Sequence, residues 1–149
     1  MTATTQALDP GARAWIEGVI AASPVGKALG IKIVAAEVDC VRVGLKFDDE
    51  LTTVPGVIHG GVISTLIDIA GAAASASGLT AADGATGGAT SHLSVTYLAP
   101  ALGDLEAVAT VVHRSRSMTQ SEVAVRSVGG DLVAAGQVSS RIFHETARS

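Results

Sequence analysis

Between Val54 and Ala82 the chain carries a single formally charged side chain, Asp68. An ionised carboxylate in such apolar company is rare unless it is paired or functional. No Lys or Arg stands within a helical turn of it, whereas Ser64 and Thr65 lie at i−4 and i−3, on its own face of a helix. A carboxylate of this kind can serve as a nucleophile or as a general base. It can equally be an Asp whose side chain reaches a wet edge or caps backbone. Eight residues earlier stands a second feature, the pair Gly60-Gly61 directly after His59. The first turn of a helix presents unpaired N–H groups and a positive dipole end. Glycines leave that end bare, so that a carbonyl oxygen can approach and be polarised. The same glycines would also suit a tight turn or close packing.

Geometry links the two features. Eight helical residues separate Gly60 from Asp68 by about 12 Å along the axis. One carbonyl cannot meet both within a single chain. Two antiparallel copies of the helix, related by a two-fold axis, would place Gly60 of one beside Asp68 of the other, giving two sites per dimer.

The flanking pattern defines the elements that must position these residues. Asp9-Pro10 reads as an N-cap with proline at the first helical position, followed by an apolar face of Trp15, Ile16, Val19 and Ile20. Ser23-Pro24 repeats that start signal and Gly30 supplies a stop, so residues 8–29 are expected to form N-terminal helices. Val41, Val43, Leu45 and Phe47 then alternate with polar or small residues, the period of a strand with one wet face, and 31–38 is expected to be its hairpin partner. The loop 48–57 leads into a helix from Gly60 to about Ser77. Four strand-like runs follow, 89–97, 105–113, 120–128 and 132–143, with Gly129-Gly130 as a tight turn. Successive strands with short turns imply an antiparallel sheet. The order predicts one α+β domain over residues 1–149, with 1–7 and 144–149 disordered. The long helix is apolar almost all round and should be surrounded by protein.

Composition narrows the function classes. Net charge is −4, without the basic stripe of a nucleic-acid module. The single cysteine, Cys40, has no disulfide partner, and the histidines His59, His92, His113 and His144 are too dispersed for a metal motif. No basic region followed by an apolar run opens the chain. The stretch 54–82 could span a bilayer by length, but it is rich in Gly, Ser and Thr and lacks an aromatic belt. A cytoplasmic protein that binds neither membrane nor nucleic acid is expected.

The segment Gly56-x-x-His59-Gly60-Gly61 followed by Leu66-x-Asp68 resembles the signature of the PaaI-like hotdog thioesterases. Thr90-x-x-Leu93-Ser94-Val95-x-Tyr97-Leu98-x-Pro100 is similar to that family's next strand, and 130–134 to its last hairpin. The resemblance runs in order over residues 25–143. It implies a hotdog fold, an antiparallel sheet wrapped around a long central helix, in a dimer with a continuous sheet and commonly a tetramer of two dimers. It implies hydrolysis of an acyl-CoA thioester with no metal and no cofactor beyond the coenzyme A of the substrate. By position, Asp68 would be nucleophile or general base, the Gly60 N–H would polarise the carbonyl, His59 would shape the helix start, and Thr90 would place a hydroxyl near the attacking water. Gly61, Ser64 and Thr65 become candidate substrate contacts. The chain departs from the family at Thr53, where an Asn is usual six residues before the His, and at His92, where an acidic residue is common.

Coenzyme A phosphates favour arginine. The densest basic stretch is His113-Arg114-Ser115-Arg116, which makes Arg114 and Arg116 candidates for the nucleotide end, against the plainer reading of solvated turn residues. His113 and His144 read as surface residues. The acyl group is expected to be aryl or medium-chain, since Ala70, Ala72, Ala73, Ala74 and Ala76 either leave room for it or allow tight helix packing. Two other readings stand beside hydrolysis. A hydratase or dehydratase would need a His and a carboxylate on one substrate. A non-catalytic acyl-CoA sensor would usually carry a DNA-binding module, for which residues 1–30 are too short and too little basic.

Overall fold

The computed structural model describes residues 6–146. The chain begins with helix α1 (Pro10–Trp15), where the Asp9 carboxylate accepts the Gly11 N–H at 2.8 Å. It continues as a π-helical turn (Ile16–Ile20) that drives Ile16 into the core. Helix α2 (Pro24–Leu29) is capped by Ser23 and ends at Gly30, whose φ of 72° suits glycine. Strands β1 (Ile31–Glu37) and β2 (Cys40–Leu45) form the expected hairpin. The loop expected at 48–57 contains a short hairpin, β3 (Thr52–Val54) with β4 (Val57–Ile58), that delivers the chain to helix α3 (Gly60–Ser77). Strands β5 (Ala85–Tyr97), β6 (Leu105–Arg114), β7 (Met118–Ser127) and β8 (Leu132–His144) complete the fold.

Six strands make one antiparallel sheet in the order β1-β2-β6-β7-β8-β5. Its concave face holds α3. Leu66, Ile67, Ala70, Ala73 and Ala74 meet Val41, Val43, Ala107, Val125 and Val138, all fully buried. The alanines are thus explained largely by packing. Gly71 shows how close the approach is, because a Cβ there would lie 2.5 Å from Val138 Cβ. Removing one of the large core side chains, Leu66→Ala for instance, should cost about 2–5 kcal/mol.

Two expectations need correction. The helix is not surrounded on all sides. Ser64, Thr65, Asp68 and Ala72 are only half-buried and form a stripe along the edge strand β5. The sheet covers most of the helix, and the N-terminal helical segment packs on part of the rest. Residue 144 is also ordered. His144 closes β8 and is half-buried, its Nε2 2.8 Å from the Arg116 carbonyl and its Nδ1 3.1 Å from that of Asp83. At the other terminus the Gln6 carbonyl accepts the Val38 N–H. Of the ends expected to be disordered, residues 1–5 and 147–149 lie outside the described residues.

Although α3 is apolar and long enough to cross a membrane, it is the core helix here, packed on β1, β2 and β5 to β8. The sheet's last strand, β5, is a thirteen-residue edge with most of its residues exposed.

Candidate active site

The start of α3 is built by β4, which aims the chain at His59. The His59 N–H donates to the Leu51 carbonyl at 2.8 Å, and its own carbonyl accepts Val62 N–H at 3.0 Å. Its side chain is the N-cap, Nδ1 accepting the Gly61 N–H at 2.8 Å. His59 therefore caps the helix start and in doing so occupies the N–H of Gly61. Among the described residues nothing accepts the N–H of Gly60, which is left as the free donor at the positive end of α3.

Tyr97 stands against this turn from the end of β5. Its hydroxyl donates to the Gly60 carbonyl at 2.7 Å, and the Ser64 hydroxyl reaches the Tyr97 oxygen at 2.6 Å. A Cβ on Gly60 would come within 3.2 Å of the Tyr97 ring, so residue 60 is pinned between ring and helix. Thr65 turns back to the Gly61 carbonyl at 2.9 Å. Neither Ser64 nor Thr65 bonds to Asp68, although both share its side of the helix.

Two turns further along, Asp68 receives the Thr90 hydroxyl on Oδ1 at 2.6 Å. That bond runs from the helix to the edge strand and fixes one carboxylate oxygen. Among the described residues no Lys, Arg or His forms an ion pair with Asp68. Its remaining lone pairs are free for a water or a substrate atom. Opposite Thr90 on β8 is Ser140, 4% exposed, whose buried hydroxyl has no protein partner. Directly opposed residues project to the same face of a sheet, so Ser140 points to the side of Thr90. Thr90 and Ser140 both line a cavity of about 700 Å³ between α3, β5 and the N-terminal helical segment.

The other expected site residues fall elsewhere. Thr53 is exposed in β3, beside the strand that feeds His59, and makes no side-chain hydrogen bond among the described residues. Arg114 lies at the opposite end of α3. Its Nε and Nη2 donate to Asp39 Oδ1 at 3.0 and 2.7 Å, and Nη2 also reaches the Ala74 carbonyl at 3.2 Å. Asp39 has a φ of 65°, rare for a residue with a side chain, and its N–H is held by Ser77 Oγ at 2.8 Å. Arg114 thus staples the β1–β2 turn to the end of α3 and is not a plain turn residue. Arg116 is exposed. Tyr97 and Ser140 were not singled out from sequence. Tyr97 could have been flagged as the lone tyrosine, sitting in a strand, but nothing in the sequence marks Ser140 among its many neighbouring small residues.

A six-stranded antiparallel sheet packed against one long helix is the hotdog architecture. The description of the thioesterase superfamily matches residues 55–134, which include both halves of the site. The chain belongs to that superfamily. A Halobacterium salinarum protein, provisionally named an esterase, is 34% identical over 126 residues, covering 78% of this chain and 83% of that protein. A thioesterase family protein from Silicibacter pomeroyi has the same fold, with a TM-score of 0.82 at 24% identity, over 91% of this chain and 100% of that one. The E. coli PaaI protein from the phenylacetic acid degradation operon matches with a TM-score of 0.81 at 21% identity, over 94% and 99% of the two chains. Membership supports hydrolysis of a thioester or ester in general.

Proposed function

We propose that the protein hydrolyses acyl-CoA thioesters, with aryl or medium-chain acyl groups, in a site shared between two copies of the chain. The observation that carries this reading is Asp68 itself: a half-buried carboxylate at the centre of the fold, gripped by Thr90 at 2.6 Å and unpaired with any cation among the described residues. Such a group is poised to take a proton from water. The water oxygen attacks the thioester carbonyl carbon, negative charge grows on the carbonyl oxygen, and the Gly60 N–H of the second chain stabilises it. The C–S bond then breaks and the thiolate leaves as coenzyme A, protonated by solvent or by Asp68. In the nucleophilic variant Asp68 attacks the carbonyl carbon, the C–S bond breaks with loss of the thiolate to leave an anhydride, and water hydrolyses it to the free acid and Asp68. Thr90 fixes the carboxylate in either case.

Two features favour a shared site. Gly60 and Asp68 lie about 12 Å apart on one helix. The half-buried stripe of α3 carries Ser64, Thr65, Asp68 and Ala72, and the adjoining edge β5 offers thirteen residues of strand for pairing. A two-fold axis near the middle of β5 would extend the sheet and bring the helix start of each copy beside the carboxylate of the other. A dimer, or a tetramer of two such dimers, is the proposed form, in the cytoplasm, with no metal or added cofactor. Of the two arginines proposed for the nucleotide phosphates, Arg114 is already engaged by Asp39, which leaves Arg116 as the better candidate. The test is release of free thiol from a panel of acyl-CoAs in excess chelator. Turnover is expected with at least one aryl or medium-chain member. Tight binding without turnover would instead favour the acyl-CoA sensor.

A further inference from the structure

The cavity beside Thr90 has a polar head and an apolar body. At the head are Thr90, whose hydroxyl holds the Asp68 carboxylate outside the lining, and the unpartnered Ser140 hydroxyl. From there the cavity follows α3. Ala72 and Ala76 line it, one and two turns beyond Asp68 on the same helical face. The facing wall is the N-terminal segment, through Trp15, Val19 and Ile20, with Leu79 just past the helix end. Trp15 and Val19 remain 39% and 47% exposed, a cost in water that an apolar guest would remove. The two ionisable side chains of the lining are Asp9, which caps α1, and the exposed Arg141.

We infer that this cavity is the acyl site and that it takes a straight, medium-length aliphatic chain and not an aryl group. The inference rests on the hydrolytic reading of Asp68 and deepens it. Elongation along α3, past Ala72 and Ala76 to Leu79, favours a chain over a ring. A cavity of roughly 150 Å³ suffices for benzene, and this one is about 700 Å³. Shape sets the length. From Asp68 to Ala76 the helix rises about 12 Å. An extended chain advances about 1.2 Å per bond. A carbonyl held at Asp68 therefore lets a chain of about ten carbons reach the level of Ala76. The methyl side chains at 72 and 76 act as a ruler, because a larger side chain at either would block the cavity at a defined depth.

Trp15 is the only tryptophan of the chain and lines the cavity, so its fluorescence reports occupancy without requiring turnover. The experiment titrates the full-length protein with straight-chain fatty acids of four to sixteen carbons and with benzoate, following Trp15 emission, beside thiol release from the matching acyl-CoAs. The expected result is a saturable emission change whose affinity rises on the order of threefold per methylene and levels off near ten carbons, with benzoate far weaker. Ala76→Phe should move the plateau and the turnover optimum to about six carbons. Ala72→Phe should move both shorter still. The acyl-site assignment is overturned if emission ignores the fatty acids, if benzoate outcompetes them, or if both folded variants keep the parent profile. The two readings fail separately. Chain-length-dependent emission without thiol release from any acyl-CoA would uphold the pocket and overturn the hydrolase. Thiol release whose length profile neither variant shifts would do the reverse.

Discussion

The first turn of α3 and its middle make opposite uses of the same helix. At the start, polar groups are consumed by one another. His59 takes the Gly61 N–H, Tyr97 takes the Gly60 carbonyl, Ser64 takes Tyr97, and one backbone N–H is left over. In the middle, a carboxylate stands in an apolar helix with one hydroxyl bond, from Thr90, and a cavity beside it. The first region is a rigid donor with no base. The second is a carboxylate with no free backbone N–H beside it. Each is chemically incomplete, and about 12 Å of helix keeps them apart within one chain. Rigidity at one and openness at the other are what a reaction between two chains would require: a fixed dipole for the developing charge and a free lone pair for the proton.

The largest expected effect breaks the second region. Asp68→Asn keeps the shape and the Thr90 contact but removes the base, and turnover should fall on the order of a hundredfold or more. Its melting temperature should stay near that of the parent, and a variant within a few-fold of parent kcat would dismiss Asp68 from the chemistry. Gly60→Val attacks the first region with a comparable loss, because its side chain must push Tyr97 aside and cover the free N–H. Mixing these two inactive proteins sharpens the comparison. Where a site draws Gly60 from one chain and Asp68 from the other, each mixed dimer holds one site with both lesions and one with neither. Co-refolding should then restore activity to about a quarter of parent per site for random pairing. No recovery, with mixed dimers demonstrated by mass, would show that the two regions do not meet across chains.

Smaller effects separate positioning from chemistry. Thr90→Ala should lower kcat about tenfold with little change in KM, the scale of one hydrogen bond to a charged group. Thr90→Ser should restore most of the loss, since the hydroxyl is what Asp68 receives. The smallest expected effects distinguish the two arginines. Arg114→Ala should cost about 1–3 kcal/mol of stability by leaving Asp39 unpaired at a positive φ, read by denaturant titration, with KM unchanged. Arg116→Ala should leave stability alone and raise KM for acyl-CoA a few-fold.

Much of this molecule was legible before folding. The Gly60–Ser77 helix, the β1–β2 hairpin and the last four strands follow from apolar period, caps and glycine turns, which are local properties of neighbouring residues. The eight-residue spacing from Gly60 to Asp68 is likewise a statement about one helix, and His59 fell where a helix must be capped. Tertiary structure decided the rest. Glycines at 87 and 88 concealed the first residues of β5, since glycine has little strand preference and only pairing with β8 holds it extended. Arg114 read as either a candidate phosphate ligand or a solvated turn residue, and only the fold brings it to Asp39, 75 residues away. Ser140 came to oppose Thr90 only through the β5–β8 register, and Trp15 came to face Ala72 and Ala76 only because the N-terminal segment folds back across α3. Local periodicity encodes which segments become helix or strand. Which side chains share a cavity depends on contacts between residues far apart in the chain, and no spacing within a segment records them.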